Sequence, residues 1–304
     1  MTIAAELSDT ARFWNDTPFR SYLFNAFSLL LPSGEQFIVE AVEAAAQSTT
    51  CSAALRDEAA RFVLEEKAHQ RAHRIYNQRL AAQGYNVAAL EERIAQALGK
   101  LQRTLSPAEC LCLTAAFEYL TTLVSRQALQ KTSWLSHEQS VQGSLWRWHC
   151  AEEIAHHHVA LDLLAARRVG YWMRVGLYLL ASVVLLSDLV RHIADFYQTD
   201  RQANRITRGA FWKSAAAFVL TNTGGLLQMG AGWLRYALPL PAPHTAKVSA
   251  PVQVRFLQPQ DINVLMVLER KKWNQEQAAS EADVLQRIAA HPQLCIGAFS
   301  TQTG

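Results

Sequence analysis

The sequence predicts an all-α protein built on a four-helix bundle, with extra helices after the bundle and a small, incomplete α/β segment at the end. Three observations predict it. Between Gly34 and Arg168 the chain is dominated by Ala, Leu, Glu, Gln and Arg, with Gly and Pro confined to breaks, the composition of long helices. Four periodic stretches lie between those breaks, with lengths that suit an antiparallel bundle. Half of the 304 residues are hydrophobic, enough for one full-sized core and a smaller unit.

The first helix is expected to begin after Pro32-Ser33-Gly34 and to run to about Gln47. A second covers residues 53–82 and stops at Gly84, which can take the left-handed backbone that ends a helix. Ser106-Pro107 opens a third, with proline in the first turn where its missing N–H costs nothing, and this helix reaches about Lys131. A fourth spans about 136–168, and Gly170 ends it. Residues 171–197 form a strongly apolar fifth helix and residues 211–236 a less regular sixth, which cap the bundle.

The stretch 238–246, Leu-Pro-Leu-Pro-Ala-Pro-His-Thr-Ala, reads as a proline-rich linker, so domains are expected at 1–245 and 246–304. Beyond it, residues 252–257 read as a strand. Asp261 caps a helix reaching about Trp273, a second helix covers 280–291, and 294–299 read as another strand.

Composition excludes several classes. The formal charge is +3, from 29 basic and 26 acidic side chains, so there is no field suited to nucleic acid. The five cysteines, Cys51, Cys110, Cys112, Cys150 and Cys295, are odd in number and form no Cys-x-x-Cys pair, against both a disulfide framework and a thiolate zinc site. Glu6, Asp9 and Arg12 interrupt the N-terminal stretch where a secretory signal needs an apolar run, so a cytoplasmic protein is expected. Residues 175–187 are uncharged but too few to span a bilayer and read as a buried helix. Residues 214–234 are long enough, yet Asn222, Gln228 and four glycines weaken them as a span. Peripheral membrane association and a homodimer both remain compatible with the sequence.

The chemistry lies in two runs. Phe62-Val-Leu-Glu-Glu-Lys-Ala-His-Gln-Arg-Ala-His73 places Glu66, His69 and His73 within an arc of about 60° on a helix, at roughly 100° per residue. The run from His149 to His158 places His149, Glu153 and His156 within another such arc. In each, Glu-x-x-His sets a carboxylate and an imidazole one turn apart, so both can reach one metal ion while the carboxylate also bridges to a second. Glu118 is the only acid between Glu109 and Glu138 and sits in an apolar run, where a carboxylate needs a cation, a hydrogen-bond network or exposure. On the first helix Glu35, Glu40 and Glu43 are all candidates, and spacing does not separate them. The competing reading is a set of buried ion pairs or an exposed charged face. Glu65, Glu152 and His158 point away from the arcs and read as solvated or as partners of the ligands, and His157 lies at their edge. Phe117, Tyr119 and Trp146 read as core, and His192 with Asp188 as a local pair.

Over residues 10–245 these motifs resemble the predicted metal-dependent hydrolases of the ferritin-like superfamily. The residues that carry it are Leu31-Pro-Ser-Gly-Glu35, Glu-Glu-x-x-His-x-x-x-His at 65–73, Glu118, and His149-x-x-x-Glu-x-x-His156. The last run is also similar to that of the di-iron N-oxygenases acting on arylamines. The resemblance implies Glu35 from the first helix and His149 as a third histidine. The implied metal ligands are then Glu35, Glu66, His69, Glu118, His149, Glu153 and His156, with His73 an extra ligand or a partner of one. The tail from Val252 resembles the opening of a GNAT acetyltransferase. The glycine-rich loop that would hold the coenzyme A pyrophosphate in that family is not there, so acetyl transfer is not expected.

A carboxylate-rich, histidine-containing pair of sites without thiolate suits two iron ions, with manganese next and zinc after it. The expected activity is di-iron oxygenase or oxidase chemistry on a small organic substrate. The alternative is a hydrolase with a metal-activated bridging water. A non-catalytic metal or lipid-associated binding protein comes third.

Overall fold

A computed structural model describes residues 12–47, 51–131, 133–136, 140–156, 158–167, 169–238, 252–272, 279–290 and 296–300. The acidic N-terminal stretch up to residue 11, the proline-rich stretch 239–246, His157, Trp273 and Cys295 lie outside the described residues. The chain divides into two compact units, Met1–His244 and Thr245–Gly304.

The first unit is all-helical: α1 (Pro18–Ala46), α2 (Ala53–Ala82), α3 (Val87–Thr104), α4 (Pro107–Gln130), α5 (Val141–His156), α6 (Val159–Ala166), α7 (Tyr171–Gln202), α8 (Arg208–Thr221) and α9 (Thr223–Arg235). Helix α1 packs against α2, α3, α4, α7 and α8, and α4 against α5, α6, α7 and α9. Ser52 caps α2, and Gly84, at φ 91°, supplies the left-handed residue just beyond its end. Ser106 and Glu109 form a capping box at the start of α4.

Several boundaries differ from the sequence expectation. Helix α1 begins at Pro18 behind Thr17 as cap, and Pro32 lies inside it rather than before it. A proline there cannot donate to the carbonyl of Ser28. The Asn77 side chain replaces the missing donor: its Nδ2 donates to Ser28 O at 3.0 Å, while Gln70 Nε2 donates to Pro32 O at 2.8 Å. The break is thus satisfied from α2 and the helix continues. Asn77→Ala would leave the Ser28 carbonyl buried without a donor, so the denaturant midpoint is expected to fall by the equivalent of about 1–3 kcal/mol. An unchanged midpoint would show that Pro32 is accommodated some other way.

Helix α3 was not expected at all, although Val87, Leu90 and Ile94 fall at i, i+3 and i+7 and are its buried residues. The expected fourth helix is two, α5 and α6. The histidines at 156–158 are poor helix formers, and His158 Nε2 turns to Glu58 at 2.8 Å. The sixth divides at Asn222, whose Nδ2 donates to Phe218 O at 2.8 Å and whose Oδ1 accepts from Ser133 at 2.6 Å. His192 is buried and does not pair with Asp188, which takes Arg191 at 3.1 Å. The guanidinium is permanently charged, whereas burial pushes His192 down to about 4.

Helix α7 is also longer than expected and not a buried helix. Only residues such as Tyr178, Ala181, Leu189, His192 and Phe196 face inward, while Val183, Leu186 and Val190 are exposed by 60–66%. By length and composition it could cross a membrane, and 22% of its most apolar window is buried. Cys51, Cys110, Cys112 and Cys150 are free thiols, all buried.

The second unit holds β1 (Val252–Phe256), a 3-10 turn at Pro259–Asp261, α10 (Ile262–Lys272), α11 (Glu281–Ala290) and β2 (Ile296–Ser300). The two strands pair antiparallel with Val252 opposite Ser300 and Phe256 opposite Ile296. Ser280 and Asp283 exchange cap hydrogen bonds at the start of α11.

Candidate metal centre

In each bundle helix the polar residues fall between two apolar clusters. Along α1, Phe24, Phe27 and Leu29 belong to one cluster, Ile38, Val39 and Val42 to the other, and Glu35 lies between them. Along α2 the order reverses: Phe62 and Val63, then Glu66, His69 and His73, then Tyr76 and Leu80. Along α4, Leu111, Cys112 and Ala115 come before Glu118 and Ala128 after it; along α5 and α6, Trp146 and Cys150 precede Glu153 and His156, with Val159 and Ala160 after. The polar residues therefore form one layer across the bundle. The same ordering fixes chain direction, since α2 and α4 run alike, so the link between them must travel the bundle's length. Helix α3 does this: 18 residues at 1.5 Å each give about 27 Å.

The layer contains the whole ligand set that the resemblance implies, and His73 with it. Glu35, Glu66, His69, His73, Glu118, His149 and Glu153 are 0–2% exposed and His156 is 6%. His156 bridges two carboxylates, with Nε2 at 3.4 Å from Glu66 and Nδ1 at 3.6 Å from Glu118. His69 Nδ1 lies 3.6 Å from Glu66 and 3.8 Å from Glu153; His149 lies 3.5 Å from Glu153 and 4.0 Å from Glu35. Two groups emerge whose ligand atoms all lie within 4.8 Å of one another: Glu66, His69, Glu153 and His156; and Glu35, His73 and His149. The other first-helix candidates drop out. Gln36 and Gln102 donate to Glu40, and Lys67 pairs with Glu43 at 2.8 Å, both at the exposed surface.

Most inward donor atoms have nothing to bond. Both oxygens of Glu35 and of Glu66, Glu118 Oε2, His69 Nδ1, His73 Nε2, His149 Nδ1 and both nitrogens of His156 are buried without a hydrogen-bond partner. Such a concentration costs several kcal/mol per charged group unless cations complete it. The outward atoms, by contrast, are held. His73 Nδ1 meets Ser28 Oγ at 2.9 Å, His69 Nε2 meets Glu152 at 2.8 Å, and Thr121 donates to Glu153 Oε2 at 2.8 Å. One ring nitrogen held and the other left free is how a metal-binding imidazole is oriented. Burial, with the neighbouring carboxylates, pushes Glu35 and Glu118 well above the usual carboxylate range and Glu153 up to about 8. Burial holds His73 and His149 well below the ordinary histidine value; it also lowers His69, but Glu66 and Glu152 outweigh it and keep that ring well above.

Sequence reasoning missed Ser28, Thr121 and Phe117 as parts of the site. Ser28 is seven residues before Glu35 and so on its face, and Thr121 one turn after Glu118. Trp146, read as core, packs on His73 with ring centroids 4.8 Å apart. A cavity of about 90 Å³ lies against the polar layer, with Glu35, Glu66, Glu118 and Glu153 on one side and Leu31, Ile94, Leu98, Phe117 and Leu185 among its apolar walls.

The fold and the site together define an all-helical first unit with a buried carboxylate and histidine cluster able to take metal ions. A family model described as predicted metal-dependent hydrolase matches residues 1–246, and the chain belongs to that family. No curated protein and no solved structure matches the chain.

Proposed function

We propose that the first unit is a ferritin-like dimetal enzyme that uses two iron ions to activate dioxygen for oxidation of an apolar organic substrate. The single observation that carries this reading is the set of buried carboxylates and imidazoles from four helices, most of their inward atoms unpartnered, with four of the carboxylates lining a cavity whose other walls are mainly apolar. Four carboxylates balance two divalent cations, which removes the cost of burying them. Glu35, His73 and His149 would hold one ion, and Glu66, His69, Glu153 and His156 the other, with Glu118 beside His156. Carboxylate oxygen with imidazole and no thiolate suits iron or manganese. The long α3 crossover is also the connectivity of ferritin-like bundles.

Bound iron would supply the electrons and the open coordination positions for dioxygen. The chain's own contribution is to hold and enclose. Ser28 and Glu152 fix the rings of His73 and His69, Thr121 fixes Glu153, and Leu31, Leu98 and Phe117 keep water from the substrate side.

Hydrolysis is the second reading, favoured by the family's description. The same ligands could lower the pKa of a bridging water. A scissile ester or amide would then need polar groups to orient it, and the cavity offers only Thr121 and Asp188 beyond the carboxylates.

The test is to purify the protein with metals counted, reduce it without air, then admit air while following oxygen uptake and visible absorbance. Iron at about two per chain with oxygen uptake is expected. Zinc alone, with no response to oxygen, moves the assignment to hydrolysis, and no bound metal ends both readings.

A further inference from the structure

The inner cavity lies next to an exposed apolar face. A second, more open cavity of about 400 Å³ lies between α1, α4, α7, α8 and α9, walled by Leu23, Leu123, Phe218, Leu226 and Met229 among others. Phe27 and Leu185 line both cavities, so two apolar side chains stand between the polar layer and the outer groove. At roughly 10–15 Å³ per water-sized group, the inner cavity takes about six to nine such groups and the outer one about 27 to 40. Neither suits a bulky polar molecule, and the inner cavity alone is short.

From these shared walls we infer that the site takes a molecule with an unbranched alkyl chain, whose reacting segment lies in the inner cavity and whose remainder passes Phe27 and Leu185 into the outer groove. The inference rests on the dimetal reading for what happens at the inner end, but not for chain binding itself. The inner end meets four carboxylates, so a neutral end is favoured over an anionic one. The outer end emerges beside the exposed Leu186, where a chain leaving the groove stays against apolar surface.

Gly230 gives a direct test. It lines the outer groove only, and a Cβ built on it meets nothing within 4 Å, so a larger side chain there fills the groove without touching the metal layer. Binding of 1-hexanol and 1-dodecanol to the full chain is measured by calorimetry, in the metal-free and the metal-loaded protein. Dodecanol is expected to bind at least about 10-fold more tightly than hexanol, since each buried methylene adds to the transfer free energy. Gly230→Leu should remove that preference and leave hexanol binding within about twofold of the parent. Met229→Trp, on the same wall, should do the same and guards against a folding defect in the first variant. Equal affinity for the two alcohols, or a parallel loss of both in the two variants, overturns the inference. Because the chain-length preference is read without metal, it stands or falls separately from the metal count.

Discussion

Glu118→Gln is expected to stabilise the metal-free protein and to destabilise the metal-loaded one. Without metal, Glu118 lies 1% exposed, and burial together with the charge of Glu66 pushes its carboxyl well above the usual range. An amide of the same shape relieves that burial, so the metal-free melting temperature should rise. With metal the same change removes a charged oxygen beside His156, whose Nδ1 lies 3.6 Å away. Loss of groups that merely orient ligands costs 10–100-fold in metal affinity, so loss of Glu118 should cost at least about 100-fold, or about 2.7 kcal/mol of metal-linked stability. Melting curves with and without metal, alongside metal counts after dialysis, read both signs. If metal content and both melting temperatures stay as in the parent, Glu118 holds no cation and the dimetal reading fails. Glu153→Gln should behave alike, with a smaller gain in the metal-free protein because Thr121 already donates to one of its oxygens.

What the sequence could reveal of this site follows from how far apart the deciding groups are. Glu66, His69 and His73, or His149, Glu153 and His156, lie within two turns of one helix, so helical geometry alone aligns them. Glu118 stands out because no other acid interrupts its apolar run. The choice of Glu35 over Glu40 and Glu43 depends instead on Gln102 and Lys67, which are 62 and 24 residues away from the carboxylates they bond. Periodicity carries no such information. Pro32 is similar: it reads as a helix start because the local rule is sound, and Asn77 and Gln70 of α2 make the interior position tolerable. The expected burial of residues 175–187 does not hold for another reason. Hydropathy reports that a side chain is apolar, not that a neighbour covers it, and Val183, Leu186 and Val190 are left mostly exposed.

Asp200→Ala is expected to loosen the cavity while leaving the metal layer intact. Asp200 is fully buried near the end of α7 and accepts from Tyr22 and Tyr85 hydroxyls and from Arg12, each at 2.7 Å. It ties α7 to α1 and to the turn before α3. Burial and the hydrogen bond to Asp200 both push Tyr22 and Tyr85 above the ordinary tyrosine value, so the hydroxyls keep their protons and donate them. Removing it takes this acceptor from two buried hydroxyls and from the guanidinium groups of Arg12 and Arg205, of which Arg12 still donates to Gln83 O. A cost of about 3–5 kcal/mol follows, or a melting temperature lower by roughly 6–20 °C for a unit of this size. Asp200→Asn should fall between the two, because it keeps an acceptor for one hydroxyl. The four helices that carry the carboxylates and imidazoles do not include α7, so metal content should not change. Leu185, however, stands on α7 between the two cavities, and a helix released at its far end holds that wall less firmly. Dodecanol binding should therefore weaken in Asp200→Ala below its melting range, with metal stoichiometry as in the parent. Loss of metal in step with loss of stability would mean instead that the polar layer itself depends on α7.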